Sequence, residues 1–291
     1  MKKLLFVLLA SASISPAMAQ TYYVPVQRTS QPVVQTQTVQ GQATQKQVRR
    51  VVKAPVKYKL GNPLYRPAAQ TGVIGGEIRY TVVPKTSVHA KSDGWDIVPD
   101  VAFGLTDKLS VKGSAGYGRS EIKSGAMKGN KTFSYQAEVG LRYLIASADN
   151  FDFNVNADFY YMRTRTKTGG DHQNNHLSGT NIGLQVGKKI ENITPYFGIG
   201  FRSNLWSKQG NAPAGNNDTN VVINPGIYID VNEQVGLDLS YSSIVHQIAT
   251  YRGVVDFYPQ ENVVLGFGAF MAHPETDLDG YGVLANVKFK F

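Results

Sequence analysis

Two short patterns in this sequence contain the residue types that a metal site or a catalytic site requires. Asp171-His172-x-x-x-His176 offers a carboxylate and two imidazoles, which zinc accepts, but it falls in a predicted Gly/Asn-rich loop rather than on a helix. Ser243 and His246 could act as nucleophile and general base, but no Asp or Asn is tied to them by spacing. We therefore predict no metal site, no cofactor, no catalytic residue and no enzymatic activity, with a hydrolase as an alternative.

A larger set of charged residues is predicted to share the inner face of a closed sheet, where these residues would either line a channel or pair with one another. Nine acids and six bases make up this row, so a water-filled interior would be a channel with a mild preference for cations. An interior in which these charges pair with one another would instead be filled. The row consists of Glu77, Arg79, Asp96, Asp100, Lys112, Glu138, Arg142, Asp152, Asp158, Arg202, Asp230, Asp238, Asp256, Lys288 and Lys290.

The segments that carry these charges repeat every two residues. From Phe151 to Met162, aromatic and aliphatic residues alternate with Asp and Asn, and Tyr281 to Phe291 alternates in the same way up to a final aromatic residue. This period predicts strands with one apolar face and one polar face. Twelve strands are predicted, with ten as the alternative, at 73–82, 95–104, 109–118, 132–143, 151–162, 178–188, 193–202, 221–230, 235–244, 252–258, 263–270 and 281–291.

The predicted links alternate between tight turns and longer polar loops. Turns after even-numbered strands are short, as at 105–108, whereas links after odd-numbered strands are long, as at 163–177 and 203–220. This layout is typical of barrels that cross the bacterial outer membrane, and it predicts a closed antiparallel transmembrane β-barrel over residues 72–291. Pro99 and Pro225 each remove a donor from mid-strand, so we expect bulges or interrupted pairing there.

Aromatic residues cluster near the predicted strand ends. Such residues form girdles at the two lipid–water interfaces of a membrane barrel. The predicted girdle at the long-loop end consists of Trp95, Tyr117, Tyr161, Trp206 and Tyr281. The predicted girdle at the short-turn end consists of Phe103, Tyr143, Phe151, Phe197, Phe257, Phe289 and Phe291.

The N-terminal part of the chain has a different composition. Residues 1–19 combine two lysines, a short apolar run and Ala17-Met18-Ala19, which predicts a signal peptide cleaved after Ala19. Residues 20–71 are rich in Gln, Val, Thr and Pro, which predicts a disordered periplasmic extension, although a strand at Val24 to Val34 could plug the barrel. Ten of the basic charges lie in residues 1–71, so the net charge of +9 leaves about −1 (9 minus 10) for the rest.

The repeated strands and the terminal Tyr281–Phe291 strand resemble the bacterial outer-membrane β-barrel superfamily, in the porin-family and opacity-protein-like group. The resemblance implies a Gram-negative cell envelope, contact with outer-membrane lipids, and recognition of the C-terminal strand by the barrel-assembly machinery. We expect a narrow passive channel for small polar solutes. The alternatives are a non-conducting structural or surface-recognition barrel that contacts peptidoglycan through its basic tail, and an outer-membrane hydrolase. No nucleic-acid partner is expected, because the basic charge is confined to the tail.

Overall fold

The protein is described here by a computed structural model that covers residues 58–86, 90–148, 150–168, 171–209, 212–213, 218–274 and 279–291. Within these ranges, no helix is long and apolar enough to cross a bilayer. The predicted signal peptide, its cleavage after Ala19, the proposed strand at Val24 to Val34 and the rest of residues 20–57 lie outside the described residues.

Twelve antiparallel strands of the described residues close one sheet, and a two-residue strand, Ala212–Pro213, pairs with the end of one of them. Each strand pairs with the next, and the first strand also pairs with the last, from Val73 opposite Lys290 to Val82 opposite Tyr281. The predicted closed barrel of twelve strands is therefore confirmed, and the alternative of ten is wrong. The strands are β1 (Gly72–Val83), β2 (Ser92–Gly104), β3 (Leu109–Ile122), β4 (Lys131–Ala148), β5 (Phe151–Thr168), β6 (Asp171–Lys188), β7 (Ile193–Gln209), β8 (Thr219–Asp230), β9 (Val235–Ile244), β10 (Ile248–Gln260), β11 (Val263–Pro274) and β12 (Gly280–Lys290).

The two faces of the sheet differ in polarity, because successive side chains point to opposite faces of a strand. The outward face exposes large apolar side chains, among them Ile78, Ile182 and Phe267, each more than half exposed. The inward face buries charged side chains such as Glu77 and Asp152. An exterior of this kind suits hydrocarbon, where a Lys or Arg at the midplane would cost about 2–4 kcal/mol.

The strands are unequal in length around the barrel. β4, β5 and β6 each have 18 residues, whereas β9 has 10. A tilted strand crosses a bilayer in about 9–11 residues, so β4 to β7 are longer than one crossing requires and extend at the long-loop end. The prediction of a loop at 163–177 is therefore wrong. Most of these residues belong to the extended hairpin of β5 and β6. The predicted loop 203–220 likewise begins as strand, up to Gln209, and Ala212–Pro213 pairs back onto it.

Both mid-strand prolines interrupt the ladder on one side only. Between β2 and β3 the pairing skips from Ile97 to Asp100, around Pro99, without a change of register. Between β8 and β9 it skips the positions around Pro225 in the same way. The expected interrupted pairing is confirmed, because a proline has no N–H to donate to that neighbour.

The described N-terminal residues lie inside the barrel. Residues 58–66, which we call the plug, occupy the lumen at the short-turn end, and Tyr58, Leu64 and Tyr65 are almost fully buried there. Residues 67–71 then cross the rim into β1, where Gln70 donates to the Gly104 carbonyl at 2.8 Å. The prediction that the disordered extension reaches residue 71 is therefore wrong for 58–71, because a short apolar cluster in that segment packs against the inner wall.

Candidate pore: lumen, plug and vestibule

The plug rests on a patch of inward-facing tyrosines at the short-turn end of the barrel. Tyr196 on β7, Tyr228 on β8 and Tyr258 on β10 form one buried cluster with plug residues Leu60 and Leu64. Tyr258 accepts a hydrogen bond from the backbone N–H of Gly61 at 3.0 Å, and its hydroxyl also contacts that of Tyr228. Aromatic side chains bury large areas at low cost in conformational entropy, so this patch is a firm seat for the plug.

The side chain of Arg142 on β4 forms hydrogen bonds with the backbone of the plug. Its guanidinium donates from Nη1 to the Tyr65 carbonyl at 2.9 Å and from Nη2 to the Pro63 carbonyl at 3.3 Å. Nη2 also donates to Gln185 Oε1 on β6 at 2.5 Å, which fixes the direction of the fork. Hydrogen bonds from a charged donor are roughly twice as strong as neutral ones, so Arg142 is the main polar anchor of the plug.

A glycine on β6 leaves room for the plug. The ideal Cβ of a residue at position 187 would overlap Leu64 Cδ1 and lie 3.0 Å from Leu64 Cγ. Glycine therefore lets the Leu64 side chain lie against β6 in its present position. Leu64 is fully buried in this position.

Further polar contacts join the plug to the wall. Lys59 Nζ lies 3.4 Å from Asp230 Oδ1, and Asn62 Nδ2 donates to Thr194 Oγ1 at 3.2 Å. Arg66 lies 3.9 Å from Asp152, which is buried beside it. The plug is thus attached to strands around much of the short-turn rim.

One network of charges crosses the middle of the lumen. Arg79 Nε on β1 lies 2.6 Å from Glu77 Oε1 and 3.4 Å from Asp96 Oδ2 on β2. Arg252 on β10 donates to Glu77 Oε2 at 2.7 Å, and this contact spans the two intervening strands β11 and β12. This ion pair therefore connects two strands of the barrel that are not neighbours, through the lumen.

A second network lies on the neighbouring wall. Lys112 Nζ on β3 lies 2.8 Å from Glu138 Oε1 on β4 and 3.0 Å from Asp158 Oδ1 on β5. Asn181 on β6 donates to the other oxygen of Asp158 at 3.4 Å. Gly140 sits between Lys112 and Asp158 in the register, and a Cβ there would overlap the Asp158 carboxylate. The ion pair therefore passes directly over a glycine.

A polar cavity lies above the plug, toward the long loops. The space that it offers to the centres of water-sized molecules is about 70 Å³, and we call this cavity the vestibule. Gly61 and Pro63 of the plug form part of its floor, and Tyr196 there donates to Asp238 Oδ1 at 2.7 Å. Its walls are formed mainly by Asn224, Asp238, Ser240, Ser242, Thr250, Arg252, Asp256, Asn286 and Lys288.

The structure places the predicted charged row on the inward face. Ten of these residues are buried: Glu77, Arg79, Asp96, Asp100, Arg142, Asp152, Asp158, Asp238, Asp256 and Lys288. Lys112, Glu138, Arg202, Asp230 and Lys290 are half-buried. Arg202 lies apart from the plug and stacks over the Tyr160 ring, with 4.2 Å between the guanidinium carbon and the ring centre.

The sequence reasoning missed the plug and its tyrosine seat. Tyr196, Tyr228 and Tyr258 occupy inward positions among polar residues near three short turns, which is a signal that something apolar covers them. The matching signal is the apolar group Tyr58, Leu60, Leu64 and Tyr65 in an otherwise polar segment.

The predicted aromatic residues lie on the outward face, most of them near strand ends, although Tyr117 and Tyr161 lie well inside β3 and β5. At the long-loop end, Trp95, Trp206 and Tyr281 are exposed, and Tyr117 and Tyr161 are half-buried. At the short-turn end, Phe103, Tyr143, Phe197, Phe257, Phe289 and Phe291 are exposed, and Phe151 is half-buried. The backbone of Phe291 exchanges two hydrogen bonds of 2.9 Å with Gly72, which ties the last residue to the start of β1.

The Asp171–His176 pattern lies in β6, so the prediction that it falls in a loop is wrong. His172 and His176 lie in β6 and His273 lies in β11, while His246 lies in the turn 245–247 and His89 is outside the described residues. No group of three or more acidic or histidine side chains suited to a metal occurs among the described residues. Ser243 faces outward on β9, away from the vestibule.

Comparison with known proteins gives matches at the level of structure. No family model matches this chain, and no curated protein sequence matches it. The translocator domain of the autotransporter NalP from Neisseria meningitidis is similar at a TM-score of 0.53 and 15% identity, over 77% of this chain and 89% of that one. The transport unit of the autotransporter AIDA-I from Escherichia coli is similar at a TM-score of 0.54 and 9% identity, over 76% and 91%.

An outer-membrane channel from Pseudomonas putida F1 is also similar. The TM-score is 0.53 at 11% identity, and the match covers 77% of this chain and 96% of that one. At such low identity these likenesses inform on the fold and not on the substrate. The chain has the fold of the bacterial outer-membrane β-barrels.

Proposed function

We propose that the protein is exported with removal of residues 1–19 and acts in the outer membrane as a narrow, porin-like passive channel that the plug closes at its periplasmic end. The observation that carries the proposal is the polar vestibule, which ends at a segment of the chain itself rather than at the barrel wall. A segment held by side-chain contacts can leave, whereas a wall cannot. The proposal is for transport of small polar solutes and not for catalysis.

The lumen contains buried polar atoms that favour a hydrated interior. Arg252 Nε, Arg79 Nη2, Asp100 Oδ2 and Asn286 Oδ1 have no hydrogen-bond partner among the described residues. Buried polar groups are normally paired with protein or with water, so a water-filled path past these atoms would satisfy them. In this proposal, ion pairs connect the inward-facing side chains of neighbouring strands, and water fills the remaining space in the lumen.

The similar structures agree with this proposal without identifying a solute. One is named as an outer-membrane channel, one as a translocator domain and one as a transport unit. The excess of acids over bases in the lumen favours cations among charged solutes.

Planar-bilayer recording tests the proposal. The full mature chain is expected to give brief, small conductance steps, and a variant lacking residues 20–66 is expected to stay open and to prefer cations in a salt gradient. The reason is that the deletion removes the plug and leaves β1 to β12 intact. If neither protein conducts, although both migrate as folded barrels, the channel is rejected. The alternative of a non-conducting barrel that contacts peptidoglycan through the basic residues of 20–57 would then be preferred.

A further inference from the structure

The outward face at the long-loop end carries an aromatic band across β2 to β7. Trp95, Tyr117 and Tyr135 form one ladder, with ring centres 5.5 and 5.2 Å apart on neighbouring strands. Tyr161 and Trp206 flank the His176 ring at 6.2 and 6.0 Å in a second ladder. Aromatic bands of this kind lie at the level of the lipid headgroups, so the band marks where the membrane ends on this side.

Cationic residues lie directly beyond this band on the same outward face. Arg119, Arg163 and Lys208 each follow an aromatic residue of the band by two positions, which is one step of about 7 Å along the strand. The register also places His176 opposite both Arg163 and Lys208. The six cations that we call the basic strip are Arg119, Lys131, Arg163, Arg165, Lys167 and Lys208.

Most of the basic strip is available to a partner. Arg165 and Lys167 are exposed, and in the described part of the chain no carboxylate forms an ion pair with them or with Lys208. Arg163 donates only to a neutral acceptor, Asn174 Oδ1, at 3.3 Å. Arg119 Nη2 lies 3.4 Å from Glu121 Oε2, and Lys131 lies opposite Glu121 in the register, so these two members have an acidic neighbour. The strip therefore presents a strong positive charge.

Elsewhere around the described part of the barrel, the strands carry no such group of cations. At the same end, the described outward positions of β8 to β12 and β1 carry residues such as Val221, Tyr241, Tyr251, Tyr281 and Tyr80, without any Lys or Arg. Among the described strands, outward-facing cations at this end are thus confined to β3 to β7, where the strands also project furthest. A requirement for solubility alone would spread them around the rim.

We propose that the basic strip binds phosphate groups on the headgroups of the anionic glycolipid in the outer leaflet. The long-loop end of such barrels faces the cell exterior, so the strip lies against the outer leaflet and not in the lumen. Guanidinium and ammonium groups recognise phosphate by charge-assisted hydrogen bonds, and the aromatic band below offers a surface for acyl chains. The site is independent of the plug and of whether the lumen conducts.

Binding titrations on the full mature chain in detergent test this site. The probes are lipid A with two phosphates, lipid A with none, and inorganic phosphate. A variant with Arg163→Gln, Arg165→Gln and Lys167→Gln is expected to bind the phosphorylated lipid about 100-fold more weakly, since each cation near a charged lipid surface contributes roughly a factor of five. A second variant, Lys131→Gln with Lys208→Gln, is expected to lose about 25-fold on the same basis.

The matched control removes two exposed cations away from the strip, by Lys85→Gln after β1 and Lys108→Gln at the short-turn end. It is expected to bind the phosphorylated lipid as the unaltered chain does. Equal binding by the Arg163/Arg165/Lys167 variant, or equal weakening in the control, would overturn the proposal. So would equal binding of the lipid without phosphates, or displacement of the lipid by inorganic phosphate at a similar concentration.

Discussion

Replacing Arg142 with alanine is expected to raise the ratio of open to closed time in single-channel recordings by about 100-fold or more. The substitution removes two hydrogen bonds from a guanidinium to the plug carbonyls of Pro63 and Tyr65. Each such bond contributes about 1.5–3 kcal/mol, and every 1.4 kcal/mol changes an equilibrium tenfold. The strands keep their pairing, so the barrel should remain while its plug is released.

The matched control for this experiment is Arg202→Ala. Arg202 is also an inward-facing arginine, but it stacks on Tyr160 and does not contact the plug. Its removal should leave the open fraction within about threefold of the original, which corresponds to the roughly 0.5 kcal/mol expected of sites outside the network. An Arg142→Ala protein that stays closed like the unaltered chain would exclude this anchor as part of a gate.

Replacing Lys112 with methionine is expected to lower the free energy of unfolding by about 3–5 kcal/mol, measured by denaturant titration of the folded barrel in micelles. Lys112 neutralises Glu138 and the buried Asp158 together. Removal of one partner of a buried pair leaves an uncompensated charge on Asp158, whose side chain is only 3% exposed, and the predicted loss is the usual cost of that defect.

Two further variants separate charge from packing in that experiment. Adding Asp158→Asn to Lys112→Met should recover most of the stability, because the uncompensated charge is then removed. Lys108→Met, at an exposed turn, should change stability by less than about 0.5 kcal/mol. If the double variant is as unstable as Lys112→Met alone, the ion pair is not what Lys112 contributes.

The barrel itself could be predicted from the sequence because its signal is repeated. Each crossing segment alternates apolar and polar residues, as in Phe151 to Met162, and no lipid-facing charge interrupts the pattern. The strand ends were less predictable. From Arg163 to Thr168 both faces of β5 are polar, so alternation in hydropathy vanishes although the strand continues. Projection beyond the membrane removes the requirement for an apolar face, and with it the signal.

The inward charges could be predicted as a face but not as a network. Period two puts Lys112, Gly140 and Asp158 on one face, yet only the register between β3, β4 and β5 makes them neighbours. The plug was harder still. Its few apolar residues lie in a segment whose composition is that of a disordered chain, and their partners are tyrosines far away in sequence, such as Tyr258. Contacts between residues so far apart in the sequence produce no short-range pattern that could be recognised in the sequence.

The most direct test of the account is whether residue 64 lies against residue 187 in the folded barrel. The chain has no cysteine, so Leu64→Cys with Gly187→Cys introduces the only two thiols. Their side chains would be within disulfide reach, since a Cβ at position 187 lies 3.0 Å from Leu64 Cγ. The control pairs Leu64→Cys with Val186→Cys, whose side chain faces the lipid on the opposite side of β6.

After mild oxidation of the folded protein, thiol labelling followed by mass spectrometry should find the 64–187 pair protected as a disulfide and the 64–186 pair free. Full labelling of the 64–187 pair, or equal protection in both proteins, would contradict a plug seated in the lumen.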